Sequence, residues 1–201
     1  MNPAVFLDRD GVLCENRDDY VKSLDEFVFL PGAAEAIVAL RSAGLKVIVV
    51  TNQSAIGRGV VAAEAVQEIH DMMLKALADQ GAEVDDVFVC PHAPEANCDC
   101  RKPKPGLLVL AAEEHMLDLG ASFMVGDASS DVAAGAKAGC ETVLVLTGRG
   151  ADQMRYAVPG TIRATHVAPS ITEAAEWILN RAAERGIIDK SAEAGAEVQA
   201  P

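Results

Sequence analysis

The chain has 201 residues, of which 50% are hydrophobic and 23% are charged, the balance expected of one domain with a full core. The formal net charge of −13 argues against a nucleic-acid partner, because the phosphate backbone would be repelled. There is no run of about 18 apolar residues, so we predict no membrane span. Residues 1–10 lack the basic-then-apolar pattern of a signal peptide. We therefore predict a cytoplasmic protein whose five cysteines are reduced or bind metal.

Apolar runs alternate with helix-like segments along the chain. The predicted strands are Val5–Leu7, Lys46–Thr51, Val84–Cys90, Phe123–Gly126, Thr142–Leu146 and His166–Ala168. The predicted helices are Ala33–Ala43, Ala62–Gln80, Leu107–Leu119, Asp131–Ala138 and Ile171–Arg185. This alternation predicts an α/β fold with a doubly wound, mainly parallel sheet covered on both faces. We expect one domain over residues 1–186 and a polar C-terminal tail over residues 187–201.

The first predicted strand runs directly into two carboxylates, in the stretch FLDRDGVL. Side chains at i and i+2 of an extended chain point to the same side, so Asp8 and Asp10 can face one small space. Two carboxylates that close repel each other unless a cation or a shared proton intervenes. The alternative is a simple turn, since Asp and Gly are common where a strand ends.

Other strand ends carry further polar groups. TNQS ends the second strand with Thr51 and Asn52, and GDASSD ends the fourth with Asp127, followed by Asp131. In sheets of this class, ligands bind at the carboxyl ends of the strands. Each of these residues has a structural alternative, such as a strand end or a helix cap. Together they favour a functional cluster at one edge of the sheet, because buried carboxylates need a partner.

A second cluster follows the third strand. Cys90, His92, Cys98 and Cys100 supply three thiols and one imidazole within eleven residues. This donor set is typical of a tetrahedral Zn²⁺ site in which all four positions are filled, so we predict a structural Zn²⁺. The alternative is that the thiols are simply reduced loop and core residues.

Four of these stretches resemble one superfamily. DRDGV, TNQS, RKPKP and GDASSD stand in the order of the four motifs of the haloacid dehalogenase (HAD) superfamily, and the likeness runs from about residue 5 to residue 179. The resemblance implies a HAD-like Rossmannoid fold and Mg²⁺-dependent phosphoryl transfer. It implies that Asp8 is the nucleophile and that Asp10 is the general acid and base. It implies that Mg²⁺ is bound by the side chains of Asp8 and Asp127 and by the Asp10 main-chain carbonyl. The phosphate is then bound by Thr51, Asn52, Gln53, Ser54 and Lys102. Asp131 is implied to hold either Lys102 or a metal-bound water.

Within that superfamily, the chain looks like the small phosphatases acting on D-glycero-D-manno-heptose 1,7-bisphosphate and the related histidinol-phosphate phosphatases. TNQSAIGRG, CPH…CDCRKPKPG and DDYV…FLPG carry this narrower match. The chain leaves no room for a large cap domain, so we expect an open site that suits a small phosphorylated metabolite. Arg101 is expected to meet a second, distal polar group of that metabolite, and Arg58 and Tyr20 are expected to support binding. We expect hydrolysis of the heptose bisphosphate at its 7-phosphate by a monomer or weak homo-oligomer. Histidinol phosphate is the alternative substrate, and a receiver-like phospho-acceptor or a zinc-binding module is the alternative of a different class.

Two other features have ordinary interpretations. His70, His115 and His166 have no partner that the sequence identifies, and we expect surface or satisfied core residues. The stretch TGRGAD after the fifth strand is expected to be a connection whose backbone lies on the active edge.

Overall fold

The computed structural model describes residues 1–158 and 160–189. Six strands form one parallel sheet in the order β3-β2-β1-β4-β5-β6. They are β1 (Ala4–Leu7), β2 (Lys46–Asn52), β3 (Asp86–Cys90), β4 (Phe123–Gly126), β5 (Glu141–Val145) and β6 (His166–Ala168). The predicted α/β fold with a doubly wound parallel sheet is confirmed.

Seven α-helices connect or follow the strands of the described chain. They are α1 (Ala33–Ser42), α2 (Ser54–Gly57), α3 (Ala63–Ala78), α4 (Gly106–His115), α5 (Ser129–Ala138), α6 (Gly150–Tyr156) and α7 (Ile171–Glu184). The five predicted helices are present, with bounds that differ by a few residues. The expected connection is present over residues 147–149, but the last three residues of TGRGAD begin α6, a helix that was not predicted. Helices as short as α2 and α6 are too brief to show an apolar repeat in the sequence.

Both faces of the sheet are buried. In β1, Val5 and Leu7 pack on one side with α1, α3 and α7, while Ala4 and Phe6 pack on the other side with α4 and α5. A strand covered on both faces has no polar side, which explains why these strands read as unbroken apolar runs. The polar groups of the sheet are therefore confined to the strand ends.

Within the described part of the chain, no large domain is inserted beside the sheet edge. The segment between β1 and α1, which we call the flap (residues 12–30), contains one short 3₁₀ turn, Leu24–Glu26, and an isolated antiparallel bridge between Cys14 and Phe29. The segment between β3 and α4 likewise contains one 3₁₀ turn, Pro94–Ala96. The prediction that a large cap domain is absent is confirmed over the described residues.

At the C-terminal end, Ile187 and Ile188 pack against the core beside α7. The packed chain therefore extends beyond the predicted domain end at residue 186, and residues 190–201 of the predicted tail lie outside the described residues. Across residues 1–158 and 160–189, none of the helices has the length and apolar character needed to cross a membrane.

Candidate active site

The carboxyl ends of β1, β2 and β4 meet at one edge of the sheet. Asp8 follows β1, and its backbone N–H donates to the Val125 carbonyl of β4 at 3.0 Å. Asp127 follows β4, and Asn52 is the last residue of β2. Parallel neighbours in register thus bring the motif residues together, as predicted from their positions at strand ends.

Lys102 forms ion pairs with two carboxylates at this edge. Its ammonium group lies 3.0 Å from Asp8 Oδ1 and 2.7 Å from Asp131 Oδ1, and it donates to the Val50 carbonyl at 2.8 Å. Burial alone would lower the pKa of Lys102, but the carboxylates of Asp131 and Asp8 outweigh it and raise that pKa. Lys102 is therefore a buried, permanently charged group beside the predicted nucleophile. Of the two predicted partners for Asp131, the structure contains the ion pair with Lys102.

One lysine does not neutralise the carboxylates around it. Oxygens of Asp8, Asp127 and Asp131 all lie within 4.8 Å of one another. Burial raises the pKa of Asp8 to about 7, against the pull of Lys102 and with the help of Asp131 and Asp127. Burial also raises the pKa of Asp127 to about 6, although the Arg149 backbone N–H opposes the shift. The site thus carries excess negative charge when all three carboxylates are ionised.

Such a donor set fits Mg²⁺, which prefers carboxylate oxygens and leaves room for water and phosphate oxygens. Asp8 and Asp127 are the side chains that would hold the ion, in line with the predicted ligand set. A divalent cation would remove the repulsion that raises the two carboxyl pKa values.

Asp10 lies beside this centre in a separate network. Both of its carboxylate oxygens accept from Arg9 Nη2, at 2.9 and 3.0 Å, and its Oδ2 also accepts from Gln53 Nε2 at 2.9 Å. Gln53 Nε2 also donates to the Thr51 hydroxyl at 2.8 Å. Thr51 is fully buried and outside the cleft lining, so its hydroxyl faces Gln53 in this arrangement.

The β5–α6 connection closes on the same centre, as expected from a backbone that lies on the active edge, although its individual contacts could not be predicted. The Arg149 backbone N–H donates to Asp127 Oδ2 at 2.8 Å, and the Thr147 hydroxyl donates to the Gly11 carbonyl at 2.6 Å. A Cβ at Gly148, where φ is +55°, would lie 2.2 Å from Asp127 Oδ2. Only glycine leaves room for this approach. The signal in the sequence is the Gly-rich TGRG directly after a strand.

Three thiols and an imidazole converge between β3 and α4, in the Cys/His loop (residues 90–102). Cys100 Sγ lies 3.3 Å from both Cys90 Sγ and Cys98 Sγ, and Cys90 Sγ lies 3.6 Å from Cys98 Sγ. His92 Nδ1 lies 3.3 Å from Cys100 Sγ. These separations are too long for a disulfide and near the ~3.7 Å edge of a tetrahedron with Zn–S bonds of about 2.3 Å.

A cation is needed before all three thiols of this cluster can ionise at neutral pH. Hydrogen bonds from Cys100 and Cys90 lower the pKa of Cys98 to about 7, although burial acts the other way. Burial and the neighbouring thiols raise the pKa of Cys100 to about 12. Three adjacent thiolates cannot coexist at neutral pH without a metal, so the donor set fits Zn²⁺.

The Cys/His loop leads directly into the catalytic edge. The side-chain amide of Asn52 is hydrogen-bonded to the Lys102 backbone in both directions, at 3.1 and 3.2 Å. Arg101 Nη1 donates to the Ser54 hydroxyl at 2.7 Å and contacts the His92 carbonyl at 3.4 Å. Asn52 and Ser54 therefore hold the segment that carries both cations.

The open side of the site is a cleft of about 290 Å³. Every predicted site residue outside the thiol cluster lines it except Thr51. Tyr20 of the flap packs against the small cluster formed by Ala55, Val61 and Val66, and it has a left-handed φ of 69°. Arg58 is exposed and lies 3.8 Å from Glu95 of the Cys/His loop. Arg17 and Arg149 also line the cleft, so its rim is cationic despite the acidic chain.

Comparison with known proteins identifies the family. A model described as haloacid dehalogenase-like hydrolase matches residues 5–81, and one described as HAD-hydrolase-like matches residues 99–174. The chain is 42% identical over 157 residues to the D-glycero-beta-D-manno-heptose-1,7-bisphosphate 7-phosphatase of Pseudomonas putida, which covers 78% of this chain and 90% of that protein. This chain belongs to the haloacid dehalogenase-like hydrolases. The superfamily prediction is confirmed, and the hydrolase is selected over the receiver-like and zinc-module alternatives.

Two further relatives bear on the narrower match. The D-glycero-alpha-D-manno-heptose-1,7-bisphosphate 7-phosphatase of Burkholderia mallei is 42% identical over 170 residues, with 81% of this chain and 89% of that protein covered. The crystal structure of the D,D-heptose 1,7-bisphosphate phosphatase from B. bronchiseptica, complexed with magnesium and phosphate, superposes with a TM-score of 0.82 at 39% identity. The superposition covers 89% of this chain and 99% of the chain in that crystal structure.

Proposed function

We propose that this protein is a Mg²⁺-dependent phosphatase that removes the 7-phosphate of D-glycero-D-manno-heptose 1,7-bisphosphate through an aspartyl-phosphate. The observation that carries the proposal is the buried contact of 3.0 Å between Lys102 and Asp8, at the floor of a cleft with a cationic rim. The names of relatives matched over most of the chain support the substrate.

In the first half of the reaction, an Asp8 carboxylate oxygen attacks phosphorus, and the bond from phosphorus to the sugar oxygen breaks. Asp10 donates a proton to that sugar oxygen as it leaves. In the second half, Asp10 takes a proton from the water that attacks the phosphorus of the aspartyl-phosphate, which regenerates Asp8 and releases phosphate. When bound, Mg²⁺ neutralises charge between the carboxylates and the phosphate dianion.

The remaining residues bind and orient the substrate. Lys102 contributes a fixed positive charge beside Asp8, and Asn52 and Ser54 offer polar groups at the end of β2 and the start of α2 for the phosphoryl oxygens. Gln53 and Thr51 act indirectly, through the hydrogen-bond network that reaches Asp10. In this account Gln53 orients the acid rather than binding phosphate.

The rim supplies the basis for a bisphosphate substrate. With one phosphate beside Asp8, the second phosphate of a sugar lies several ångströms away. Arg101 is held toward the cleft by Ser54, and guanidinium groups grip phosphate in a bidentate way. Arg58 and Tyr20 complete the wall that faces the sugar.

We further propose that the Cys/His loop binds a structural Zn²⁺ through Cys90, His92, Cys98 and Cys100. The distances between sulfurs and the imidazole nitrogen support this ligand set. Cysteines that are not paired in disulfides are typical of a reducing compartment, which supports the cytoplasm as the location. A monomer or weak homo-oligomer remains the prediction for the assembly.

The proposal is tested by measuring kcat/KM for heptose 1,7-bisphosphate in both anomeric forms, heptose 7-phosphate, heptose 1-phosphate and histidinol phosphate. Protein carrying Asp8→Asn, prepared in parallel, controls for contaminating phosphatases. We expect a bisphosphate to be the preferred substrate, with free phosphate released from position 7. Faster turnover of histidinol phosphate than of either bisphosphate would replace the proposed substrate with the histidinol alternative.

A further inference from the structure

Arg9 separates the two catalytic carboxylates in sequence, yet its side chain is 1% exposed and does not reach into solvent. It spans two partners: Nη2 donates to both oxygens of Asp10, at 2.9 and 3.0 Å, while Nη1 lies 3.0 Å from His70 Nε2. Nη2 also donates to Gln53 Oε1 at 3.1 Å. The guanidinium therefore joins the proposed acid to helix α3.

His70 is the polar exception on the buried face of α3. The other buried residues of that helix are apolar: Val66, Ile69, Met73 and Leu77. His70 itself is 2% exposed. Burial and the neighbouring Arg9 charge lower the pKa of His70 to about 4, so the ring is neutral at physiological pH. Because Arg9 can only donate, His70 Nε2 accepts the hydrogen bond, and the ring proton is on Nδ1.

A cation buried in this way is costly. Placing a guanidinium in the interior carries a penalty of several kcal/mol, and apolar residues of similar volume often fill such a place with no loss of stability. Here Nε of Arg9 has no hydrogen-bond partner in the described structure, so the surrounding residues do not satisfy all the donors of the guanidinium. The satisfied contacts of Nη2 all go to Asp10 and to Gln53, its neighbour, while Nη1 contacts His70.

The geometry of those contacts restrains Asp10. Two donations from Nη2 and one from Gln53 Nε2 fix the plane of the carboxylate, and the Cys14 thiol lies 3.6 Å from Oδ1. A proton donor is effective only when it is held within hydrogen-bond reach of the atom that it protonates. The anchor for this restraint is His70, which α3 holds at the far end of the Arg9 side chain.

We propose that Arg9 and His70 are positioning residues that hold Asp10 in place for proton donation to the leaving oxygen. This inference rests on the proposed phosphatase function, and it adds two residues whose contribution acts through Asp10. His70 keeps Arg9 extended, and Arg9 in turn keeps the carboxylate oriented.

Leaving-group dependence separates this role from a purely structural one. For a phosphatase with a covalent intermediate, kcat/KM reports the steps up to departure of the leaving group. A sugar oxygen needs a proton as it leaves, whereas p-nitrophenolate leaves as a stable anion. Misplacement of Asp10 therefore slows the sugar phosphate and spares p-nitrophenyl phosphate, while partial unfolding slows both by one factor.

The experiment compares wild type, His70→Leu and His70→Gln on heptose 1,7-bisphosphate and p-nitrophenyl phosphate. For His70→Leu we expect kcat/KM to fall about tenfold or more on the sugar phosphate and less than about twofold on the aryl phosphate. His70→Gln keeps an acceptor for Arg9 and should recover most of the loss. Met73→Leu, on the same buried face, should leave the ratio between the two substrates unchanged.

An equal loss on both substrates, or no loss on either, overturns the proposal. If His70→Leu does not fold, Arg9→Lys provides the test, through the ratio of kcat/KM on the sugar phosphate to kcat/KM on the aryl phosphate. A lysine keeps the charge but cannot contact Asp10 and His70 at the same time. Wild-type protein inactive on every phosphate ester would instead contradict the proposed function. If the heptose bisphosphate alone is the wrong substrate, any alkyl phosphate that wild type hydrolyses takes its place in the comparison.

Discussion

Two groups of candidate metal ligands in this protein are built in opposite ways. We call them the carboxylate centre, formed by Asp8, Asp127 and Asp131, and the thiol centre, formed by Cys90, His92, Cys98 and Cys100. Asp8 and Asp127 stand at the ends of two paired strands, and Lys102 already supplies part of the charge that they need. In the thiol centre only Cys90 belongs to a strand, and His92, Cys98 and Cys100 lie in a loop with a single 3₁₀ turn between them. The first centre is held by the sheet, whereas the second depends on its own ligands.

This difference separates two consequences of losing a metal. Removing Mg²⁺ from the carboxylate centre should abolish turnover and leave the fold intact, because backbone hydrogen bonds and Lys102 keep the strand ends in place. Removing Zn²⁺ from the thiol centre should loosen the loop itself, and with it Arg101 and Lys102. Substitution and metal removal can test each half of this contrast separately.

The nucleophile should be dispensable for folding and essential for turnover. Asp8→Asn keeps the shape of the side chain and removes the attacking charge, so we expect kcat to fall by at least ~10³. The far-ultraviolet circular dichroism spectrum should match wild type. Asp25→Asn, an exposed flap carboxyl, should be fully active. Near-normal turnover by Asp8→Asn would remove the basis of the mechanism.

The thiol centre should behave in the opposite way. Protein purified without chelator should contain about one Zn²⁺ per chain by elemental analysis, and Cys100→Ser should lose the metal, activity and at least ~2 kcal/mol of stability together, roughly 4–8 °C in Tm. Cys140→Ser is the matched control, because that buried thiol lies outside the cluster and should leave zinc content unchanged. Metal-free protein with full activity and unchanged melting would rule out a structural role.

Arg101 tests whether the loop contributes specificity as well as support. Loss of a charge-assisted contact worth ~1.5–3 kcal/mol should narrow the preference for a bisphosphate over its monophosphate about ten- to a hundredfold in Arg101→Ala. Lys104→Ala is the control: Lys104 is in the same segment but pairs with Asp99 on the outside. An equal effect of Arg101→Ala on both substrates would assign Arg101 to the reacting phosphate.

The smallest effect is a pH dependence of the carboxylate centre. The pKa values of Asp8 and Asp127 rise from 3.8 to about 7 and about 6 in the metal-free fold. Between those values the folded state holds protons that the unfolded chain has released, so metal-free stability should fall as pH rises from about 4 to about 7. Mg²⁺ binds the ionised form, so it should raise Tm more near pH 8 than near pH 5.5, as thermal melting can show. A Mg²⁺ shift independent of pH would contradict this.

The sequence predicts the parts of this site that lie at strand ends and fails where contacts cross the fold. Asp8, Asn52 and Asp127 could be placed because a predicted strand ends directly before each of them and parallel strands share one edge. The partnership of Arg9 with His70 could not, because the two residues are 61 positions apart and only the packing of α3 on the sheet joins them.

The same limit applies to short elements. The helix that begins at Gly150 escaped prediction because seven residues show too little periodicity, and the approach of Gly148 to Asp127 depends on tertiary placement. The thiol cluster was predictable for the opposite reason, since its four donors lie within eleven residues and need only a loop to converge.

The central claim is that Asp8 carries the phosphoryl group between two half-reactions that Asp10 assists. It is tested most directly with Asp10→Asn and p-nitrophenyl phosphate in a rapid-mixing experiment. The aryl group leaves without a proton, so the first half should proceed and the second should stall. We predict a burst of about one p-nitrophenolate per active site and a phosphorylated peptide that contains Asp8 after acid quenching. A linear time course with undiminished turnover and no phosphate on Asp8 would contradict the account.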